Sequence, residues 1–249
     1  ASGVSFSHTY CAGPLCVPSR MAFMTGQYPS DLRIWTNGGV LPSSVPTFAH
    51  QLSLAGWETA LCGRMHFVGP DQHHGFERRL AGDVSGAMRG VTGGLFEGVW
   101  SLAGCGQSYE GLLDDAVGPG QASYEAYDAD VTERACAFLR EHTEAGRDGD
   151  PFCLVIGLLL PHNPYVCDKE LFEEYMDKLP VPEGVGESPE GEHPAVLSLR
   201  RFRGAERIKV EQARRARAAY FGLITTMDRN IGRILDALDD QGLARDTVV

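Results

Sequence analysis

Cys16-Val17-Pro18-Ser19-Arg20-Met21-Ala22-Phe23-Met24-Thr25-Gly26 puts a nucleophile, a cation and helix punctuation into one short segment. Pro18 and Ser19 suit the first turn of a helix and Gly26 its end, so Cys16 falls at the N-terminus with Arg20 one turn in, on the same side. A positive helix end and a guanidinium beside a sulfur make an anion site. The segment is therefore a candidate reactive cysteine with a phosphate- or sulfate-sized pocket beside it. A helix-capping cysteine with a surface arginine is the alternative for this segment alone. Two histidines add acid–base capacity near neutral pH. His66 closes Gly63-Arg64-Met65-His66, and His162 sits in Pro161-His162-Asn163-Pro164-Tyr165, where two prolines lock the turn and aim the imidazole. Taken singly, either histidine also reads as a satisfied structural group. His73 and His74, next to Asp71, read as a polar turn, with metal ligation as the alternative.

The elements around these residues alternate. Pro46 opens a helix bearing Phe48, Leu52 and Ala55, Gly56 closes it, and Trp57 to Cys62 reads as a strand that ends at Arg64 and His66. A helix from Tyr127 to His142 carries Val131, Ala135, Phe138 and Leu139 on one face. It leads through a polar turn into Phe152 to Leu160, an apolar run expected to be a strand buried on both faces of a parallel sheet. His162 follows that run. Near the end, Ile231, Ile234, Leu235 and Leu238 fall on one helical face, Gly242 stops the helix, and Arg245 to Val249 begin like a strand, as if cut inside an element. The pattern predicts an α/β fold with helices on both sides of the sheet. Residues 81–124 and 180–210 read as long excursions, and Arg200, Arg201, Arg203, Arg207 and Lys209 as a solvated face.

Composition sets the bounds. The 249 residues are 43% hydrophobic with 30 Gly and 14 Pro, enough for a sizeable core and unlike a disordered or fibrous chain. A net charge of −11 with no large basic concentration argues against nucleic acid as a partner. No apolar run approaches the roughly 20 residues that cross a bilayer, so no membrane association is expected. Seven cysteines, odd in number and without CxxC spacing, suggest neither a disulfide framework nor zinc, and lean toward a cytoplasmic location.

The Cys16 segment resembles the signature of the type I sulfatases, Cys-X-Pro-Ser-Arg followed three residues later by Leu or Met, Thr and Gly, at every required position. Gly56-Trp57-Glu58-Thr59 leading to Gly63-Arg64-Met65-His66 resembles the family's second signature, with Arg64 where Lys is usual. Pro161 to Tyr165 resembles its Pro-His-X-Pro-Tyr element, and His66 to Glu77 is similar to choline-sulfatase-type members. The resemblance implies an alkaline-phosphatase-like α/β sandwich with a largely parallel central sheet flanked by helices, truncated here at both ends. It implies oxidation of Cys16 to formylglycine by a formylglycine-generating or anaerobic sulfatase-maturating enzyme. Hydrated to a gem-diol, that group would attack the sulfur of a sulfate monoester and form a covalent sulfo-enzyme. Catalytic roles would fall to Cys16, Arg20, His66 and His162. Arg64 would hold a sulfate oxygen, His66 would hydrogen-bond the formylglycine and help deprotonate its second hydroxyl, and His162 would protonate the leaving group.

The family's divalent cation, usually Ca²⁺ (or Mg²⁺), is expected on the formylglycine at position 16 and on Asp, Asn or His ligands that these residues do not include. Residues 1–249 are therefore expected to form a single incomplete catalytic domain, inactive by itself. Two alternatives stay open. One is a phosphonate monoester or phosphodiester hydrolase of the same superfamily, and the other a noncatalytic sulfate-ester-binding pseudoenzyme.

Overall fold

The computed structural model describes residues 3–83, 117–147, 149–185, 187, 191–202 and 204–249. The chain divides into two units, Ala1–Leu95 with Gly146–Gly157, and Phe96–Ala145 with Leu158–Val249.

In the first unit the predicted helix over the cysteine segment forms as α1 (Cys16–Thr25), and Gly26 ends it in the left-handed conformation at φ 68°. Val17, Met21 and Met24 lie on one face of α1 and are buried with Ile34, Leu41, Ala49, Leu61, Met65, Phe67 and Phe76. Burying each such large side chain is worth about 1.5–3 kcal/mol, so this face fixes how α1 lies and leaves Cys16 and Arg20 half-buried on its other side. A short α2 (Pro29–Leu32) follows, then α3 (Phe48–Leu54), whose first turn is capped by Thr47 and His50. Strand β1 (Glu58–Gly63) is buried at every position and pairs in parallel with β2 (Arg78–Ala81) and with β4 (Phe152–Gly157), giving the order β2-β1-β4. The buried Glu58 carboxylate receives Arg78 and Arg147, each at 3.0 Å. It thereby ties β2 and the turn ahead of β4 to the central strand.

The apolar run starting at Phe152 forms a strand only as far as Gly157, and five of its six strand residues are half-buried. The doubly covered strand is β1, because among the described residues β1 has a neighbour on each side and β4 only one. Gly157 ends β4 where the chain of Arg64 crosses it. The Arg64 N–H donates to the Gly157 carbonyl at 2.8 Å, and a methyl group at Gly157 would collide with the Arg64 backbone.

In the second unit α4 (Ser123–Glu144) buries Tyr127, Val131, Ala135, Phe138 and Leu139 and packs on the long α7 (Val210–Asp240), which buries Ala218, Ala219, Leu223, Ile234 and Leu238. Helix α5 (Lys169–Lys178), capped by Asp168, packs on α7 as well. Strands β3 (Gly118–Pro119) and β5 (Val166–Cys167) form a short parallel pair. The 180–210 excursion contains a helix, α6 (Pro194–Phe202), on which Arg200 pairs with Glu192 at 3.3 Å. Arg203 and most of the 81–124 excursion lie outside the described residues. The strand expected at the C-terminal end does not form. Ala244–Asp246 make a 3₁₀ turn and Val248 and Val249 are almost fully exposed, since a β-branched run gains strand geometry only from a ladder partner, and none is present among the described residues. Among the described residues no helix is long and apolar enough to cross a membrane.

Candidate active site

Cys16 is the first residue of α1, where backbone N–H groups lack intrahelical acceptors. One of them is already engaged, because the Val17 N–H donates to Asn37 Oδ1 at 3.1 Å. Arg20, one turn along, donates from Nη1 to the carbonyl oxygen of Arg64 at 3.2 Å. That bond joins the cysteine segment to the end of β1 and brings together two segments 44 residues apart in sequence.

Beyond β1 the chain turns sharply, with φ 95° at Gly63 and φ 60° at His66. A left-handed conformation is unfavourable for a residue with a side chain and needs support from its surroundings. The support is Asp83, fully buried, whose Oδ2 accepts the His66 N–H at 2.6 Å. Arg64 is also buried, at 6% exposure, and its Nη2 donates to His66 Nδ1 at 3.2 Å. Among the described residues its Nε–H has no acceptor and no carboxylate pairs with it. A buried guanidinium with donors to spare is an anion-binding group, and its planar fork suits a tetrahedral oxyanion.

His162 belongs to the second unit and has its own supports. Its Nδ1–H donates to the Asn163 carbonyl at 2.7 Å, and its ring meets Tyr124 edge-on with centroids 5.9 Å apart. The residues ahead of it are held by Asp128, a fully buried carboxylate on α4 that accepts the N–H groups of Leu159 at 2.7 Å and Leu160 at 2.9 Å. Neither Asp83 nor Asp128 was singled out from the sequence. Asp128 carried a signal, since it lies on the helical face of Val131 and Ala135, where periodicity calls for an apolar side chain. Asp83 carried none.

The Asp71 turn is less polar than its composition implied. Asp71 Oδ1 accepts the N–H groups of His73 and His74, each at 3.0 Å, and His73 Nδ1 bonds the Phe76 carbonyl at 2.8 Å. His74 is buried against Phe67, ring centroids 4.4 Å apart, and its desolvation holds its pKa below the ordinary value although the Asp71 carboxylate is 3.4 Å away. Among the described residues no three His, Cys, Asp or Glu side chains converge on a possible metal position. They do not fit a hard cation that takes six to eight oxygens.

The family model described as Sulfatase matches residues 1–249. The choline-sulfatase of Rhizobium meliloti (strain 1021) is 34% identical over 254 residues, covering 98% of this chain and 48% of that protein. The arylsulfatase of Clostridium perfringens (strain 13 / Type A) is 29% identical, over 99% of this chain and 54% of that one. Among solved structures, the phosphonate monoester hydrolase SpPMH from Silicibacter pomeroyi superposes with a TM-score of 0.69 at 22% identity, over 96% of this chain and 52% of that one. The chain thus spans about half the length of the curated relatives it matches.

Proposed function

The chain belongs to the sulfatase family and has the α/β fold of the alkaline-phosphatase-like superfamily, and on that premise we propose that the whole protein hydrolyses sulfate monoesters through a formylglycine made from Cys16. The observation that carries this reading is the bond from Arg20 to the Arg64 carbonyl, which ties the cysteine segment to the segment holding Arg64 and His66. Choline sulfate is the first substrate to assay, because the relative at 34% identity is a choline-sulfatase. A maturation enzyme of the formylglycine-generating or the anaerobic type would oxidise Cβ of Cys16 by two electrons, its own oxidant taking them, so that Cβ carries an aldehyde oxygen and the sulfur leaves as sulfide. One hydroxyl of the hydrated aldehyde attacks sulfur, the ester S–O bond breaks, and the alcohol departs with a proton from His162. The second hydroxyl then loses its proton, the carbon–sulfate C–O bond breaks, and sulfate leaves as the aldehyde returns. Arg20 and Arg64 offset the charge on the transferring group.

Residues 1–249 form, in this reading, one incomplete catalytic domain. The family's Ca²⁺ or Mg²⁺ stabilises negative charge on the transferring group when bound. This chain would contribute the formylglycine to its shell, and the other ligands would come from outside these residues. In this reading the protein works in the cytoplasm, a reducing compartment, and the six free cysteines among the described residues support that.

Two measurements on the full-length protein test the reading. Mass spectrometry of the Cys16 peptide, from a host that matures other sulfatases, is expected to show aldehyde in place of thiol, and Cys16→Ala is expected to abolish hydrolysis of choline sulfate and aryl sulfates. An intact thiol in every such peptide, or activity in the alanine variant, overturns it. Arg64's fork fits a phosphoryl group as well as a sulfuryl group, so the same protein is assayed on aryl sulfate and phosphonate esters. Faster turnover of the phosphonate decides for that second reading, and tight sulfate-ester binding without turnover for a pseudoenzyme.

A further inference from the structure

The chain leading into α1 folds back over the first turn of that helix. Gly13 is buried there, and a methyl group on it would lie 3.2 Å from Pro18 Cβ and 3.1 Å from Pro29 Cγ, tighter than ordinary contact. Leu15 is extended, and its carbonyl accepts the Ser19 N–H at 3.0 Å. Cys11 is exposed, and its thiol donates to the Gly13 carbonyl at 3.0 Å while Sγ lies 3.3 Å from Ser19 Oγ. Ser19 stands three residues after Cys16 on α1, and side chains so spaced are neighbours on a helix surface. The Cys11 sulfur is thereby set over the side of α1 that carries Cys16, with only Ala12, Gly13, Pro14 and Leu15 between the two cysteines. The Ser19 hydroxyl also holds the Cys11 thiol below its ordinary pKa, which favours the thiolate that attacks disulfides. Burial moves Cys136, Cys153 and Cys167 the other way, the last up to about 12.

We propose that in the protein before maturation Cys11 and Cys16 close a reversible disulfide under oxidising conditions, and that this bond withholds Cys16 from conversion to formylglycine. The oxidant is a small-molecule disulfide such as glutathione disulfide. The Cys11 thiolate attacks one of its sulfurs, the S–S bond breaks, and one glutathione thiolate leaves. The Cys16 thiolate then attacks the Cys11 sulfur of the mixed disulfide and expels the second glutathione thiolate. Two protein thiols have lost two protons and two electrons, and the two glutathiones carry the electrons away. In the closed form the Cys16 sulfur is bonded to Cys11 and offers a maturation enzyme no thiol. Reverse exchange with a thiol reopens it, whereas sulfinic and sulfonic acids at Cys16 would not return to the thiol. The disulfide rests on the geometry alone; its bearing on maturation rests on the sulfate-ester reading.

The test has two arms, both on the full-length protein. In the first, protein from a host without a maturation enzyme is treated with glutathione disulfide, its remaining thiols are alkylated, and the tryptic peptide ending at Arg20 is weighed. The expected peptide is lighter by two hydrogens and takes no alkyl tag at Cys11 or Cys16, and reductant restores both tags. Two tags after oxidation, glutathione carried separately on the two cysteines, or Cys16 joined to any other cysteine overturns the proposal. In the second arm, native protein and Cys11→Ser are made together in cells that mature sulfatases, so that both meet the same enzyme, and the thiol oxidant diamide is added. The aldehyde yield at position 16 of the native chain, relative to Cys11→Ser, is expected to fall about tenfold or more and to recover with reductant. An unchanged ratio overturns the control of maturation. Should Cys11→Ser fail to fold, the native chain's own yield with and without the oxidant, set against another sulfatase in the same cells, gives the ratio. If no aldehyde forms under any condition, the functional reading fails and the first arm alone judges the disulfide.

Discussion

At the scale of single residues, the two histidines differ in what they face, and that difference predicts how their variants behave. His162 is exposed and its Nδ1–H is engaged by the Asn163 carbonyl, and the proposed reaction gives its ring the proton for the leaving group. In the proposed reaction its help would matter most when the leaving alcohol is a poor acid, since general acid catalysis is worth typically 10²–10⁴-fold and least where little protonation is needed. His162→Ala is therefore expected to slow alkyl sulfate hydrolysis far more than that of nitrophenyl sulfate. Equal slowing of the two substrates would remove it from the leaving-group role.

At the scale of elements, the end of β4 and the end of β1 are one construction. Gly157 has no side chain because the Arg64 backbone occupies the space where one would be, and the Arg64 N–H bonds its carbonyl. Gly157→Ala forces a backbone shift at a buried strand end, an overpacking expected to cost about 3 kcal/mol and visible in the urea midpoint. Displacing Arg64 also loosens its hold on His66, so activity is expected to fall further than the lost stability explains. A variant with native midpoint and native kcat would show that this contact is slack. How far such a site was legible depended on the length of the chemistry in sequence. Helix α1 was readable because its stop signal and its helix-start residues are its own residues, Pro18, Ser19 and Gly26. The partners of Asp83 and Asp128 were not, even though Asp128 stood out as a carboxylate on an apolar helical face, because those partners are backbone N–H groups 17 and 31–32 residues away, and any residue type there would offer the same donor. The apolar run from Phe152 misled for a related reason. Hydrophobicity reports that a segment is wanted inside, but the number of neighbours a strand acquires is decided by topology.

At the scale of the whole molecule, buried titratable groups give stability a pH dependence. His74 has its pKa lowered by burial, against an ordinary value of 6.5. The unfolded chain then binds a proton at a pH where the folded chain does not, and stability present above pH 6.5 is lost as pH falls below that value toward the lowered folded pKa. The thermal midpoint of the full-length protein is expected to drop between pH 7 and pH 5. The drop is expected to be smaller in His74→Asn, which does not titrate and tolerates the left-handed backbone at φ 42°. A pH profile identical in the two proteins would assign the acid sensitivity elsewhere.

The parallel pairing of β1 with β4 also has a consequence in time. Helix α1 docks through Val17, Met21 and Met24 on a core that includes Leu61 of β1, and β1 in turn completes its pairing only with Phe152–Gly157. A ribosome extending the chain at roughly 5–20 residues per second makes about 140 further residues between Cys16 and Gly157, an interval of about 7 to 28 seconds. Through that interval the surface that half-buries Cys16 is unfinished. In the proposed maturation, an enzyme reaching for the thiol would meet an open segment early and a docked helix late, and the length of the opportunity is written in the separation of the two strands.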